Sequence, residues 1–210
     1  MEPASVVVLA EAPRPGRCKR SLEPRLGPNG CALLQAELIR VAVAWGRTLG
    51  HVAVAITPPD AVDEIEVKGA TVFAQEGADP GARIAAAVDR ADGPVVVIGT
   101  DLPTIGVSHA DAVRSDLAAG VDVAVGPSHD GGWYLVALRS PRPELFALPG
   151  GAWNGPEGFT ALLGRATELR LGLGMLRGER KLETPADADA LLLHHALPAA
   201  VAERLRVRPA

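Results

Sequence analysis

Only two cysteines, Cys18 and Cys31, occur in these 210 residues, and their spacing is not that of metal ligands. A disulfide framework and a zinc-ribbon motif are therefore excluded, and the usage suits a reduced, cytoplasmic setting. No apolar stretch reaches the roughly 20 residues of a membrane span, and the start of the chain has no basic segment followed by a hydrophobic one with a cleavage site. Membrane and secreted classes are not expected. Basic runs and basic patches interleaved with aromatics are also missing, and the net charge is -4. Nucleic acid is thus an unexpected partner. There is no Walker loop, no GxGxxG, no spacing that suggests a Ser/His/Asp constellation, and no internal repeat or linker. What remains is a chain with 48% hydrophobic residues, long enough for one domain over residues 1–210 with a substantial core.

The organising stretch runs from Pro94 to Leu138. Val95 to Ile98 is a short, apolar, β-branched run, as in a strand buried on both faces of a parallel sheet, and it stops at Gly99-Thr100-Asp101. Asp101 thus stands at the carboxyl end of a central strand, where open α/β sheets bind ligands. A second strand, 121–125, leads through Gly126-Pro127 to Asp130-Gly131-Gly132, and a third runs from Trp133 to Leu138. Asp101 and the Asp130-Gly131-Gly132 turn are expected to face one site.

Ser5 to Ala10 reads as the first strand and opens into a loop, Glu11 to Leu22, with two prolines, a glycine and the cations Arg14, Arg17, Lys19 and Arg20. Backbone amides and fixed cations in such a loop suit phosphate oxygens, although a solvated basic loop accounts for the same residues. Cys18 and Cys31 are expected to pack as small hydrophobes. Asn29 is placed as the cap of a helix to Trp45, which is expected in the core. Further strands are expected at 52–57, 71–74 and 171–176. Helices are expected from Asp79-Pro80 to 91, from the Ser108 to Asp111 capping box to 119, from Pro156 to 169, from Pro185 to 194 and over 199–206. His109 is expected to face solvent, and His194-His195 to be incidental. A basic loop with carboxylates around a sheet edge fits a phosphate ester held with a divalent cation, and so phosphoryl or nucleotidyl chemistry.

Six motifs then fall in one order: Ala12-Pro13-Arg14-Pro15-Gly16-Arg17-Cys18-Lys19, Gly99-Thr100-Asp101-Leu102-Pro103, 125–135 around Asp130-Gly131-Gly132-Trp133, Pro143 to Phe146, Trp153 to Glu157, and Glu183 to Asp187. Over residues 4–193 the chain resembles a bacterial family of GT-A-fold proteins of poorly defined function, labelled glycosyltransferases of arsenosugar-type pathways. That family is similar to the phospholactate and phosphoenolpyruvate guanylyltransferases and, more remotely, to other nucleotidyltransferases. The resemblance implies a Rossmann-like α/β fold of the nucleotide-diphospho-sugar transferase type, with a mixed, mostly parallel sheet between helices.

It also implies roles. Ala12, Arg14, Gly16, Arg17, Lys19 and Arg20 would bind the nucleotide phosphates, with Lys19 and Asp101 catalytic. Thr100, Pro103, Asp130, Gly131, Gly132, Trp133, Trp153 and Asn154 would shape the acceptor side. Asp101 and Glu183 would hold Mg2+ or Mn2+. The chain departs from the family pattern at four places. Ser21 replaces an arginine, His129 replaces a glutamate, Asn154-Gly155 follows Trp153, and Lys181-Leu182-Glu183 stands where the family has Asp-Val-Asp. The expected partners are a nucleotide and a small-molecule acceptor, with a homodimer admitted. The expected activity is transfer of a nucleoside monophosphate from a triphosphate to a phosphorylated acceptor. The alternatives are glycosyl transfer from a nucleotide sugar and a non-catalytic, ligand-binding member.

Overall fold

The computed structural model describes residues 2–148, 152–154 and 156–207, without the side chain of Asn154. Seven strands form one sheet in the order β3-β2-β1-β4-β6-β5-β7: β1 Ala4–Glu11, β2 Gly50–Thr57, β3 Thr71–Ala74, β4 Val95–Ile98, β5 Val123–Pro127, β6 Trp133–Leu138 and β7 Leu173–Met175. All neighbours run parallel except β6, which is antiparallel to both β4 and β5. The expected mixed, mostly parallel α/β sheet is present. Helices α1 Glu23–Gly46 and α3 Val107–Ala118 cover one face, and α2 Pro80–Val88 and α4 Gly158–Glu168 cover the other.

The valine-rich run explains why β4 is central. Val96 and Ile98 enter the core beneath α1 and α3, whereas Val95 and Val97 enter the core beneath α2 and α4. All four are buried, so neither face of this strand tolerates a polar side chain. A third core joins α1 to the short helices α5 Pro185–Leu191 and α6 Ala199–Arg206, with Leu182 fully buried within it. That packing ties the late segment before α5 to the first helix.

Three boundaries differ from expectation for identifiable reasons. Helix α1 begins at Glu23, breaks at Gly27, whose φ is 68°, and resumes at Pro28, so Asn29 lies inside it rather than capping it. Helix α3 begins at Val107, with Gly106 as its cap, because the His109 imidazole folds back and accepts a hydrogen bond from the Gly106 amide at 3.1 Å. His109 is then 3% exposed, which overturns the solvent-facing assignment. Strand β5 starts at Val123, since the amides of Val121 and Asp122 go to the carbonyls of Asp116 and Gly172.

The first loop is fastened from within. Ala12 donates its amide to the Thr57 carbonyl at 2.8 Å, and the thiols of Cys18 and Cys31 lie 3.5 Å from the Arg14 carbonyl and 3.3 Å from that of Lys19. Both cysteines are buried. Burial, reinforced by the Glu11 charge, pushes the Cys18 thiol up to about 11, so it stays protonated at neutral pH. Alkylation of either cysteine in the native protein at pH 8 is expected to be slower than in the unfolded chain by more than about a hundredfold, read by mass spectrometry.

Glycine supplies space where β5 passes β6, because a Cβ on Gly126 would overlap the Tyr134 ring. Gly126→Ala is expected to destabilise the fold by about 1–3 kcal/mol in urea unfolding. Gly164 is exposed in α4 with open space around it, and Gly164→Ala is expected to stabilise by about 0.5–1 kcal/mol in the same assay.

Candidate functional site at the carboxyl edge of the sheet

Four segments meet where β1, β4, β5 and β7 end: the 12–19 loop, the Gly99–Thr104 turn, the Ser128–Gly132 turn and the segment from Leu176 to Glu183. Their junction is Asp101. Its carbonyl accepts the Leu182 amide at 2.7 Å, and its carboxylate pairs with the Lys19 ammonium, which also lies 3.4 Å from the Leu182 carbonyl. Lys19 takes a left-handed backbone, φ 49°, as it enters the turn before α1. Its side chain is only 9% exposed, so this cation is committed to the edge rather than to solvent.

Lys181 forms the second junction. Its ammonium stands 2.8 Å from Asp130 Oδ2 and 2.8 Å from Glu183 Oε1. Burial acts to lower its pKa, but the bonds to the two carboxylates outweigh burial, and the ammonium is held above its ordinary value. Asp130 shows the mirror effect. Burial would raise it, but Lys181 and the Ser128 hydroxyl hold it below the ordinary carboxylate range. Its Oδ1 accepts from that hydroxyl and from the Gly132 amide. Gly131 has φ 87°, and a Cβ there would run into the Pro156 backbone, so the turn requires glycine at this point.

The Lys181 segment is itself pinned. Asp187 in α5 accepts from the amides of Glu183 and Thr184 and pairs with Arg180 at 2.8 Å. On its other side Glu179 bonds the His109 ring at 3.1 Å and also Arg177, while Tyr134 donates its hydroxyl to the Arg177 carbonyl. Burial, then the Arg177 charge, lowers the His109 pKa, and the Gly106 amide occupies Nδ1, so the ring is neutral with its proton on Nε2, facing Glu179. His109, Glu179 and Tyr134 were not expected at the site. They act through the 176–183 segment; Tyr134 lies within the 125–135 motif, whereas no periodicity could have joined Glu179 to His109, which are 70 residues apart.

Two cavities flank these ion pairs. One, of about 260 Å³, is lined by Glu11, Arg17, Lys19, Arg20, Ser21 and Glu183. The other, of about 230 Å³, is lined among others by Asp101, Gly132, Trp133, Trp153 and Lys181. The Lys19–Asp101 and Lys181–Glu183 pairs each have one member in either cavity, so they form the partition between them. A larger hollow of about 570 Å³ lies at the opposite end of the sheet, beside the starts of β1 and β2, and holds no carboxylate. Chemistry rather than size selects the smaller pair.

Some of the expected residues are engaged within the chain. Arg14 bonds Glu64 through Nε at 3.0 Å and Asp60 at 2.9 Å, and so braces the 3-10 turn Pro59–Glu64. Thr100 is buried and donates to Gln35 at 3.3 Å, which fastens the Asp101 turn to α1. Pro103 and Ala12 are buried, and Gly16 is open to solvent-side space. Arg17 and Arg20 are exposed, and among the described residues neither has a carboxylate partner. Trp133 and Trp153 meet edge to face at 6.1 Å in the acceptor-side cavity. The side chain of Asn154 lies outside the described residues. Asp101 and Glu183, the expected metal pair, are each engaged by a lysine, and among the described residues no three or more His, Cys, Asp or Glu side chains cluster as metal ligands. Here the donors do not fit a divalent ion, because the Lys181 ammonium stands between Asp130 and Glu183.

Solved structures share this architecture. A protein of Desulfovibrio desulfuricans G20 that carries the provisional name nucleotide-diphospho-sugar transferase is 22% identical, with 98% of this chain and 95% of that chain covered at a TM-score of 0.84. CMP:2-keto-3-deoxy-manno-octonic acid synthetase in complex with CTP is 14% identical over 90% and 96% of the two chains, with a TM-score of 0.56. Rv0371c from Mycobacterium tuberculosis H37Rv in complex with manganese is 18% identical over 90% and 97%, with a TM-score of 0.53. At these identities the likeness establishes the fold. No curated protein matches the sequence significantly. A family model described as an uncharacterized protein conserved in bacteria (DUF2064) matches residues 40–153, more than half of the chain, and the chain belongs to that family.

Proposed function

We propose that the protein is a nucleotidyltransferase that moves a nucleoside monophosphate from a nucleoside triphosphate to a small phosphorylated acceptor. The observation that carries this reading is the pair of adjoining cavities divided by the Lys19–Asp101 and Lys181–Glu183 ion pairs. The two cavities share a wall, as two reactants that meet would require. Arg17, Lys19 and Arg20 on one side supply cations for a triphosphate. Trp133 and Trp153 on the other offer apolar walls to an acceptor, beside the Lys181 ammonium.

In this reading an oxygen of the acceptor phosphate attacks the α-phosphorus in line. A new P–O bond forms as the bond to the β-phosphate oxygen breaks, and pyrophosphate leaves with the electron pair. No protein nucleophile is needed, and catalysis is positioning plus charge neutralisation. On the Arg17 side Lys19 is the cation that belongs to the partition, and in this reading it faces the charge that develops on the leaving group. Asp101 holds that ammonium in place and, through its carbonyl, holds the segment that bears Lys181.

Support for a nucleotide also comes from the CTP complex of the synthetase named above. The provisional name of the Desulfovibrio protein favours a second reading, glycosyl transfer from a nucleotide sugar, in which the sugar diphosphate occupies the Arg17 side. A base-by-base screen with pyrophosphate release as the readout separates the two, since only nucleotidyl transfer yields pyrophosphate.

Lys19→Ala is expected to weaken binding of the triphosphate about 10- to 100-fold, the value of one charge-assisted contact of about 1.5–3 kcal/mol. Calorimetry provides the check, and an unchanged affinity removes the ammonium from the phosphate site. Asp101→Asn keeps the carbonyl bond to Leu182 but loses the ion pair. Its turnover is expected to fall by about a hundredfold or more, with a far smaller change in binding, in a pyrophosphate-release assay.

A further inference from the structure

Three carboxylates converge on this sheet edge, and two ammonium groups are already seated among them. Lys19 takes Asp101, while Lys181 joins Asp130, from the turn after β5, to Glu183, from the segment before α5. Bridging carboxylates from separate segments at a phosphate-binding edge is the part a divalent ion plays in metal-dependent phosphoryl chemistry. The Lys181 side chain is 14% exposed, which makes it a fixed element of the edge rather than a surface arm. Both oxygens of Asp130 are in use, one by Lys181 and one by Ser128 and the Gly132 amide. An ion that joined Asp130 to Glu183 would have to displace the ammonium that now joins them.

We propose that Lys181 is a resident cation: its ammonium takes the position of the divalent ion, and the chain engages a polyphosphate ligand without metal. The part that concerns the ligand rests on the nucleotide reading above. The ammonium carries one charge where Mg2+ carries two, and the deficit is met by Lys19 together with Arg17 and Arg20, which line the adjoining cavity. Unlike an exchangeable ion, Lys181 cannot leave with pyrophosphate. It orients the phosphate that lies against the partition and stays through turnover.

The test uses the purified full chain and two titrations. The first adds Mn2+ alone and follows free ion by electron paramagnetic resonance. The wild type is expected to bind no Mn2+ at this edge, and Lys181→Asp, which supplies a third carboxylate in place of the cation, is expected to gain one site that Asp101→Asn in the same background weakens. Circular dichroism and thermal unfolding establish that the variants fold, and Lys181→Arg serves as the conservative rescue. The second titration adds each nucleoside triphosphate in EDTA or in Mg2+. Equal affinity in the two buffers is expected for the wild type, with a loss of about tenfold or more in Lys181→Ala and recovery in Lys181→Arg. A wild-type Mn2+ site that Asp101→Asn or Glu183→Gln abolishes overturns the proposal, as does triphosphate binding that requires metal. Absence of triphosphate binding in both buffers counts against the nucleotide reading alone, and the Mn2+ titrations then decide the case of Lys181.

Discussion

The site depends on how Asp101 is held. Its carbonyl takes the Leu182 amide and its carboxylate takes Lys19, so one residue at the end of β4 fixes both the basic loop after β1 and the late segment before α5. Leu182 is fully buried against α1, α5 and α6, which converts the packing of the third core into the position of its neighbours Lys181 and Glu183. Two ionisable side chains placed by one buried leucine are more firmly set than two on a free loop, because moving them means emptying a core position. The Asp187 capping box and the His109–Glu179 bond secure the two ends of the same segment.

Charge balance follows from this arrangement. Asp101, Asp130 and Glu183 face Lys19 and Lys181, and the lysine side chains are the less exposed partners in every pair. Breaking one member of such a half-buried set leaves its partner poorly solvated, which is why these residues behave as a group rather than as separate contacts. The exposed cations Arg17 and Arg20 lie outside this network and are available to an anion. The edge thus pairs an internally neutralised partition with an open, positive rim on the side of the first loop.

Much of the fold could be read from the chain because local and global signals agree. Val95 to Ile98 has no polar alternate, so its place between two helical layers follows from composition alone, and Asp79-Pro80 and Thr184 to Asp187 mark helix starts by capping chemistry. The fold type was legible in the order of the motifs, and the shared architecture agrees with it. The start of α1 was misplaced because a left-handed glycine followed by proline restarts a helix, whereas Asn29 offered a cap that the backbone does not use. The site was legible as a set of segments and not as a set of contacts. The bonds of Arg14 to Asp60 and Glu64, and of Thr100 to Gln35, join residues far apart in the chain and leave no local pattern. His109 looked exposed because its partner, Glu179, is distant in sequence. Lys181 stands out in the sequence as a cation where the family has an acid, but its bridge from Asp130 to Glu183 exists only once β5 and the segment after β7 lie side by side.

The central claim is that the carboxyl edge of the sheet, with Lys19 and Asp101 at its divide, holds a nucleotide. Thermal unfolding of the wild-type chain with each nucleoside triphosphate and each common nucleotide sugar tests it most directly. A triphosphate at 100 times its dissociation constant adds about 2.7 kcal/mol of stability, a visible rise in melting temperature for a chain of this length. The account predicts that rise for at least one triphosphate, and its reduction to about 0.4–1.4 kcal/mol at the same concentration when Lys19 is replaced by alanine. No shift with any nucleotide, or an undiminished shift without Lys19, would contradict it.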